Sequence, residues 1–335
     1  MLLSILTFLV GLVLIVKGAD WLTDGASSIA RSFNIPSIVI GLTIVAFGTS
    51  APELTVSVVS AINGQAEMAI GNVVGSNIFN SLAIMGITAL IYPVACSAQN
   101  IRYDVPLALV ASIALVAQVL DGSISLGDGI VLLCFFAIFM SYTMSQAKGQ
   151  RTTDNGQRTT DNGQQTTDNG QRTVSRGSAA RTTSLTKPII LFLVGLAGLI
   201  LGGNWMVDGA SDIAAMLGVS QSVIALTIVA AGTSFPELVT SIIAARKGDT
   251  DMAMGNVVGS NVMNIVLILG VASTIHPLGV GTISMIDFGT LLGSSVLLWL
   301  FCRFGRRYHY VSRTEGAILT LCAVAYYVQA VLLAG

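Results

Sequence analysis

Apolar runs of about 20 residues, enough for a helix to cross roughly 30 Å of hydrocarbon, can be placed ten times along these 335 residues. They fall near Leu2 to Ala30, Ile35 to Ile62, Met68 to Tyr92, Val105 to Leu120, Ile130 to Met144, Ile189 to Ala215, Val219 to Ala245, Met252 to Ile275, Phe288 to Phe304 and Gly316 to Leu333. Inside a bilayer every backbone N–H and C=O must be satisfied by the protein itself, which leaves only helices and closed barrels. Runs of this length predict helices, and several exceed the bilayer thickness and are expected to tilt or break. With 53% hydrophobic and 10% charged residues and a mean hydropathy of +0.79, the chain lies far from soluble globular composition. The expected fold class is an all-α polytopic membrane protein.

The chain also repeats itself. A constant offset of 184 residues relates about Gly18 through Pro93 to the second half without a gap. Trp21 matches Trp205, Asp24-Gly25-Ala26-Ser27 matches Asp208-Gly209-Ala210-Ser211, and Gly71-Asn72-Val73-Val74-Gly75-Ser76-Asn77 matches Gly255-Asn256-Val257-Val258-Gly259-Ser260-Asn261. Internal duplication of this kind implies one fold used twice. Five spans per half is an odd number, so the second half is expected to enter the membrane upside down, giving ten transmembrane helices as two inverted five-helix repeats. The expected boundaries are 1–146 for the first repeat, 147–187 for a linker and 188–335 for the second repeat. The linker holds three tandem heptads from Arg151 to Gln171, of the form R-T-T-D-N-G-Q, with no apolar face. Such a segment is expected to be disordered, and without apolar a and d positions its period is not that of a coiled coil.

Charge placement bears on orientation. Lys and Arg in short loops mark the cytoplasmic side. With both termini outside and the central linker cytoplasmic, 15 of the 16 basic residues face the cytoplasm. The opposite loops, Asn63 to Glu67, Asp121 to Asp128, Met216 to Ser220 and His276 to Asp287, carry no Lys or Arg. The exception, Lys17, is read as a snorkelling side chain near Asp20 on the same helix. The first run is not read as a cleaved signal: no basic residue precedes it, and Ile189 to Gly203 resembles it. The expected location is therefore the plasma (inner) membrane as a multi-pass protein.

Two carboxylates stand inside apolar runs, in G-T-S-A-P-E-L at Gly48 to Leu54 and G-T-S-F-P-E-L at Gly232 to Leu238. A charge near the bilayer centre costs roughly 2.5 to 3.5 kcal/mol even on insertion scales, so Glu53 and Glu237 point to ion or proton handling. Pro52 and Pro236 lack an amide hydrogen and are expected to break each helix and free the carbonyls of Gly48 and Gly232. Carbonyls, Thr and Ser hydroxyls and a carboxylate form an all-oxygen set suited to a hard cation of group I or II. Ser76 with Asn80, and Ser260 with Asn264, are spaced i, i+4 and share a helix face, where they can add neutral oxygens. The competing reading has these Ser and Asn residues bonding neighbouring helices. Gly71, Gly75, Gly255 and Gly259 form G-x-x-x-G patterns that predict close helix packing. Cys96, Cys134, Cys302 and Cys322 show no C-x-x-C spacing, and neither a metal cluster nor a disulfide framework is expected.

These motifs, with G-S-N-x-x-N at Gly75 to Asn80 and Gly259 to Asn264, resemble the cation/calcium antiporter superfamily and, within it, the prokaryotic sodium/calcium exchangers. The resemblance covers nearly the whole chain outside the linker. It implies ten helices in two inverted repeats, with the second, third, seventh and eighth helices as the ion-binding core and the long first and sixth sliding across it. By resemblance, Glu53 and Glu237 are the principal calcium ligands shared with sodium, and Thr49 and Thr233 donate carbonyls to calcium. Ala46, Ser50, Ser76, Ala230, Ser234 and Ser260 resemble the surrounding sodium ligands, with Asn80 and Asn264 in the shared core. Asn264 stands where many relatives, potassium-dependent exchangers among them, carry Asp, so a third charge is missing and the case for potassium co-transport weakens.

The function expected is sodium/calcium antiport. The close alternative is proton/calcium exchange, because a buried carboxylate can carry a proton. An intramembrane serine protease would need a His or Lys base beside Ser50, and the runs contain no His. A passive channel is the remaining class, and an inverted repeat with site carboxylates argues against it. The cargo ions are Ca²⁺ and Na⁺, with no cofactor and no enzymatic reaction expected. The expected partners are the bilayer and inorganic cations, with no nucleic acid and no obligate protein partner.

Overall fold

The computed structural model describes residues 1–33, 35–161, 185–218, 230–281, 283–307 and 309–334, with the side chains of 147–161, 230, 331 and 333–334 outside the description. Helix α1 spans Leu2–Phe33, followed by α2 (Ser37–Thr49), α3 (Ala51–Ile62), α4 (Ala66–Ile91), α5 (Asn100–Asp121) and α6 (Leu126–Asp161). The second half supplies α7 (Thr186–Met216), a single turn at Ala230–Gly232, α8 (Phe235–Arg246), α9 (Thr250–Ile275), α10 (Met285–Phe304) and α11 (Arg313–Ala334). Among the described residues, seven helices are long and apolar enough to cross a membrane: α1, α4, α5, α6 through Gln146, α7, α9 and α10. The bent pair α2 and α3 makes an eighth span, with an angle of 49° between its halves.

The run from Ile35 to Ile62 is thus two helices. Of the run Val219 to Ala245, residues 219–229 lie outside the described residues, and the remainder repeats the same break. Helix α6 continues to Asp161, into the segment expected to be unstructured. Extending an existing helix needs no new nucleation, and no Pro interrupts residues 147–161. The rest of that segment, 162–184, lies outside the described residues.

Helices α4 and α9 form the centre, with 72% and 78% of their apolar windows buried, against 28% and 33% for α1 and α7. The largest core cluster gathers α4 and α9 with α5 and α10, from Ile70, Val73 and Ile78 to Val257, Val262 and Leu291. On the outside of this centre α1 and α7 pack against each other along glycines seven residues apart. A Cβ on Gly18 would sit 2.7 Å from the Gly195 carbonyl, and one on Gly25 would sit 2.6 Å from the Phe192 amide. A Cβ on Gly202 would sit 2.7 Å from the Ile15 amide. Rising numbers on α1 meet falling numbers on α7, so the two helices run antiparallel, backbone against backbone.

The G-x-x-x-G pattern of α9 packs as expected: a Cβ on Gly255 would lie 2.8 Å from the Ile38 carbonyl, and one on Gly259 would lie 2.7 Å from that of Leu42. For Gly71 and Gly75 the equivalent neighbours fall within 219–229, outside the described residues. Two short antiparallel strand pairs tie the halves together. Val94–Ala95 (β1) pairs with Tyr310–Val311 (β4), and Ser123–Ile124 (β2) pairs with Leu278–Gly279 (β3).

One sequence expectation changes. Asp20 does not use Lys17, which is exposed. Its partner is Lys247, whose ammonium lies 2.6 Å from Asp20 and 2.7 Å from Asp24 across the repeats. Cys96 and Cys302, far apart in sequence, are both buried and their thiols meet at 2.9 Å.

Candidate cation-binding site

The helix break is built by serine, not by proline alone. Ser50 leaves helical geometry with φ −82° and ψ 11°, ends α2 and caps α3; Ser234 does the same for α8 with φ −93° and ψ 5°. Pro52 and Pro236 then sit in the first turn of the new helix, where a missing amide hydrogen costs nothing. At the break the Gly48 carbonyl accepts from a backbone amide, so it is not the fully freed group the sequence suggested. It keeps a second lone pair.

This geometry places Glu53 and Glu237 in the first turns of α3 and α8, where the exposed amides of a helix N-terminus favour negative charge. A serine N-cap ordinarily bonds its own helix's amides. Here neither serine does. Ser50 Oγ instead donates to Glu237 Oε1 at 2.9 Å, and Ser234 Oγ donates to Glu53 Oε1 at 3.0 Å. Each half's break thus holds the other half's carboxylate, a reciprocal contact.

Asparagines on the central helices hold the main chain of each glutamate. Asn72 Nδ2 donates to the Glu53 carbonyl at 3.1 Å and to Ser57 Oγ at 2.9 Å. Asn256 Nδ2 makes the matching bonds to the Glu237 carbonyl at 3.2 Å and Ser241 Oγ at 3.0 Å. Sequence reasoning assigned no role to Asn72, Asn256, Ser57 or Ser241. The signal was available in the repeated G-N-V-V-G-S-N, whose first Asn recurs with the motif.

Of the residues expected at the site, Glu53, Thr49, Ser50, Ala46, Ser76 and Asn80 are buried, as are Glu237, Ser234, Ser260 and Asn264; Thr233 is half-buried. The side chain of Ala230 lies outside the described residues. Thr49 Oγ1 points back along its helix toward the Val45 carbonyl at 3.1 Å and also lies 3.1 Å from Asn256 Oδ1. Ser260 Oγ reaches Glu237 Oε1 at 3.5 Å. The helix-packing reading of the Ser and Asn faces holds for Asn264, whose Nδ2 donates to Asn77 Oδ1 on α4 at 3.0 Å, while Ser260 bonds its neighbouring helix through the site carboxylate itself. Both α4 and α9 loosen into wider π-type turns at this level, Phe79–Ile84 and Asn264–Leu269, a feature frequent at functional sites.

Six buried side-chain oxygens of this set, Glu53 Oε2, Glu237 Oε2, Ser76 Oγ, Asn80 Oδ1, Thr233 Oγ1 and Asn264 Oδ1, have no hydrogen-bond partner among the described residues. Among the described residues no ion pair reaches Glu53 or Glu237; the pairs of Lys247 are to Asp20 and Asp24, so Lys247 does not offset the two carboxylates. Buried, unpartnered oxygens with uncompensated acidic charge match the ligand chemistry of a hard cation. Among the described residues no group of three or more His, Cys, Asp or Glu comes together.

A sequence model of the sodium/calcium exchanger protein family matches residues 3–145 and 187–332. The chain belongs to the sodium/calcium exchanger family. The two matched blocks carry both glutamate motifs and leave out the segment between the halves. The sodium/calcium exchanger MaX1 of Methanosarcina acetivorans is 34% identical over 97% of this chain and 97% of its own length. The putative antiporter CaxA of Alkalimonas amylolytica is 34% identical over 97% of this chain and 98% of its length. Among solved structures, the sodium-calcium exchanger NCX_Mj, soaked with zero Na⁺ and Ca²⁺, is similar at a TM-score of 0.80 and 30% identity, covering 100% of this chain and 99% of its own.

Proposed function

We propose that this family member is a secondary antiporter that exchanges Na⁺ for Ca²⁺ by alternating access, with Glu53 and Glu237 shared by the competing ions. One observation carries the reading: each buried carboxylate is anchored through Oε1 by a serine of the opposite repeat, while its Oε2 stays unpartnered among the described residues. Two such oxygens, Ser76 Oγ, Asn80 Oδ1, Asn264 Oδ1 and the carbonyls of Thr49 and Thr233 approach the 6 to 8 oxygens that Ca²⁺ takes. Two negative charges are balanced by one Ca²⁺ or by Na⁺ ions, and not by both together at the same oxygens. Counterflow follows from that exclusion once the site opens to one side at a time.

The rest of the architecture is read the same way. Ten helices form two inverted five-helix repeats, 1–146 and 188–335, with 147–187 between them. The antiparallel course of α1 and α7, equivalent helices under the 184-residue offset, supports the inversion. Backbone contact makes these two helices one body, suited to moving against α2, α3, α8 and the central pair. Strands β1 and β4 pair on the face that also holds Arg102, Arg306, Arg307 and Arg313, while β2 and β3 pair where the loops lack basic residues. That supports a plasma-membrane protein with both termini outside and the central segment cytoplasmic.

The test is calcium uptake by purified protein in proteoliposomes loaded with sodium, compared with potassium-loaded and acid-loaded vesicles. Uptake that requires internal sodium supports the reading. Uptake driven by acid loading and indifferent to sodium would replace it with proton/calcium exchange, and downhill leak without counterflow would make the protein a channel.

A further inference from the structure

We propose that Asn77 is a positioning residue for the cation site, fixing the carboxamide of Asn264 so that its oxygen faces the ligand position. The inference rests on the reading that Asn264 Oδ1 coordinates the transported cation. The backbone carbonyl of Asn261 can only accept, and Asn77 Nδ2 donates to it at 3.1 Å. That contact settles which way the Asn77 amide lies, since an oxygen turned toward the carbonyl would meet repulsion. Asn77 Oδ1 must then occupy the other arm, where Asn264 presents Nδ2 at 3.0 Å. Asn264 is fixed in turn, and its Oδ1 is left buried without a partner among the described residues.

The other half lacks this relay although the residues repeat. Asn261 and Asn80 are the counterparts of Asn77 and Asn264 at the 184-residue offset. Yet Asn261 Nδ2 donates to Ser81 Oγ at 2.8 Å, its Oδ1 has no partner among the described residues, and neither does either amide atom of Asn80. The cause lies in one position. Ser81 corresponds to Ile265, which has no polar side-chain atom. Ser81 draws the Asn261 amide away from the bond that would lock Asn80, and Ile265 exerts no such pull on Asn77. The site therefore has one preset oxygen, at Asn264, and one amide free to turn, at Asn80.

A carboxylate carries oxygen on both arms, so it needs no orienting partner. That makes a double-mutant cycle decisive: Asn77→Leu and Asn264→Asp, singly and together, with Asn264→Leu as the control. Sodium-driven ⁴⁵Ca uptake into proteoliposomes gives the apparent KM for calcium and the maximal rate. Removing an orienting partner typically weakens metal binding roughly 10- to 100-fold. We expect Asn77→Leu to raise KM by that order with the maximal rate within about twofold, and not to raise KM when Asn264→Asp is already present, where a carboxylate has no proton to give Asn77 Oδ1 and loses nothing with it. The cycle is run in parallel with Asn77→Ala, so that misfolding of one variant, seen by size-exclusion chromatography, leaves the other to decide. An unchanged KM in Asn264→Leu overturns the ligand reading beneath the proposal. A raised KM in Asn264→Leu, with no effect of the Asn77 changes or the same fold effect in both backgrounds, overturns the positioning role alone.

Discussion

A serine at the start of a helix normally turns its hydroxyl onto that helix's own amides, and Ser50 and Ser234 both turn theirs onto a carboxylate from the other repeat. This is where the sequence stopped being legible at the residue scale. The cost of intramembrane charge singled out Glu53 and Glu237, and the i, i+4 faces singled out Ser76, Asn80, Ser260 and Asn264. Which oxygen each glutamate keeps free depends on contacts across 181 and 187 residues of chain, and no local pattern encodes those. Glu53→Gln or Glu237→Gln is expected to abolish sodium-driven calcium uptake while the protein still elutes as a folded species; near-normal uptake in either would refute the shared carboxylates. Ser50→Ala and Ser234→Ala each remove one hydrogen bond to an acidic group, a class worth about 1.5 to 3 kcal/mol. Because the contacts are reciprocal, the two variants are expected to lower thermal stability in detergent by similar amounts, and a loss confined to one of them contradicts the reciprocity.

At the scale of elements, glycine separates tight seams from open faces. The seven-residue spacing of Gly11, Gly18 and Gly25 was visible in the sequence, but its meaning needed the partner glycines of α7. A side chain at Gly18 meets backbone on α7, which cannot move aside as a side-chain end can. Gly18→Val is expected to cost at least about 1 to 3 kcal/mol by overpacking, read as a lower melting midpoint. Gly289, exposed on α10 with no described atom within 4 Å of its Cβ position, serves as the control: Gly289→Ala should be neutral or slightly stabilising. The clasp of Lys247 on Asp20 and Asp24 is a weaker bond between elements. Its side chains are 30%, 40% and 53% exposed, so solvent screens the pair, and Lys247→Met should cost no more than about 1 kcal/mol, less in high salt. Partial burial alone would lower the Lys247 pKa, but the two carboxylates outweigh it and hold the ammonium above the ordinary lysine value. A folded-state pKa raised in this way gives stability that is complete at neutral pH and lost as pH climbs past the ordinary lysine range. A melting midpoint difference between wild type and Lys247→Met that grows with pH above that range would contradict the assignment.

For the whole molecule the question is whether equivalent positions face opposite sides of the membrane. The repeat offset and the loop charges argued for it from sequence. The antiparallel seam of α1 and α7 and the strand pairs β1–β4 and β2–β3 support it from an independent direction, since each pair joins loops that the charge rule puts on one side. What the sequence lacked was the pairing itself, because strands of two residues carry no periodicity to read. Asn63 and Lys247 offer a direct measurement. They are related by the 184-residue offset, both cap the C-termini of equivalent helices, α3 and α8, and both lie in turns followed by a positive-φ glycine, Gly64 and Gly248. If the repeats were parallel, the two turns would share a side; if inverted, they cannot. In a background with Cys96, Cys134, Cys302 and Cys322 replaced by Ala or Ser, Asn63→Cys in intact cells should react with a membrane-impermeant maleimide. Lys247→Cys should react only after the membrane is opened. Labelling of both from the same side would remove the inversion, and with it the geometry by which one pair of carboxylates can be approached from either face through equivalent helices.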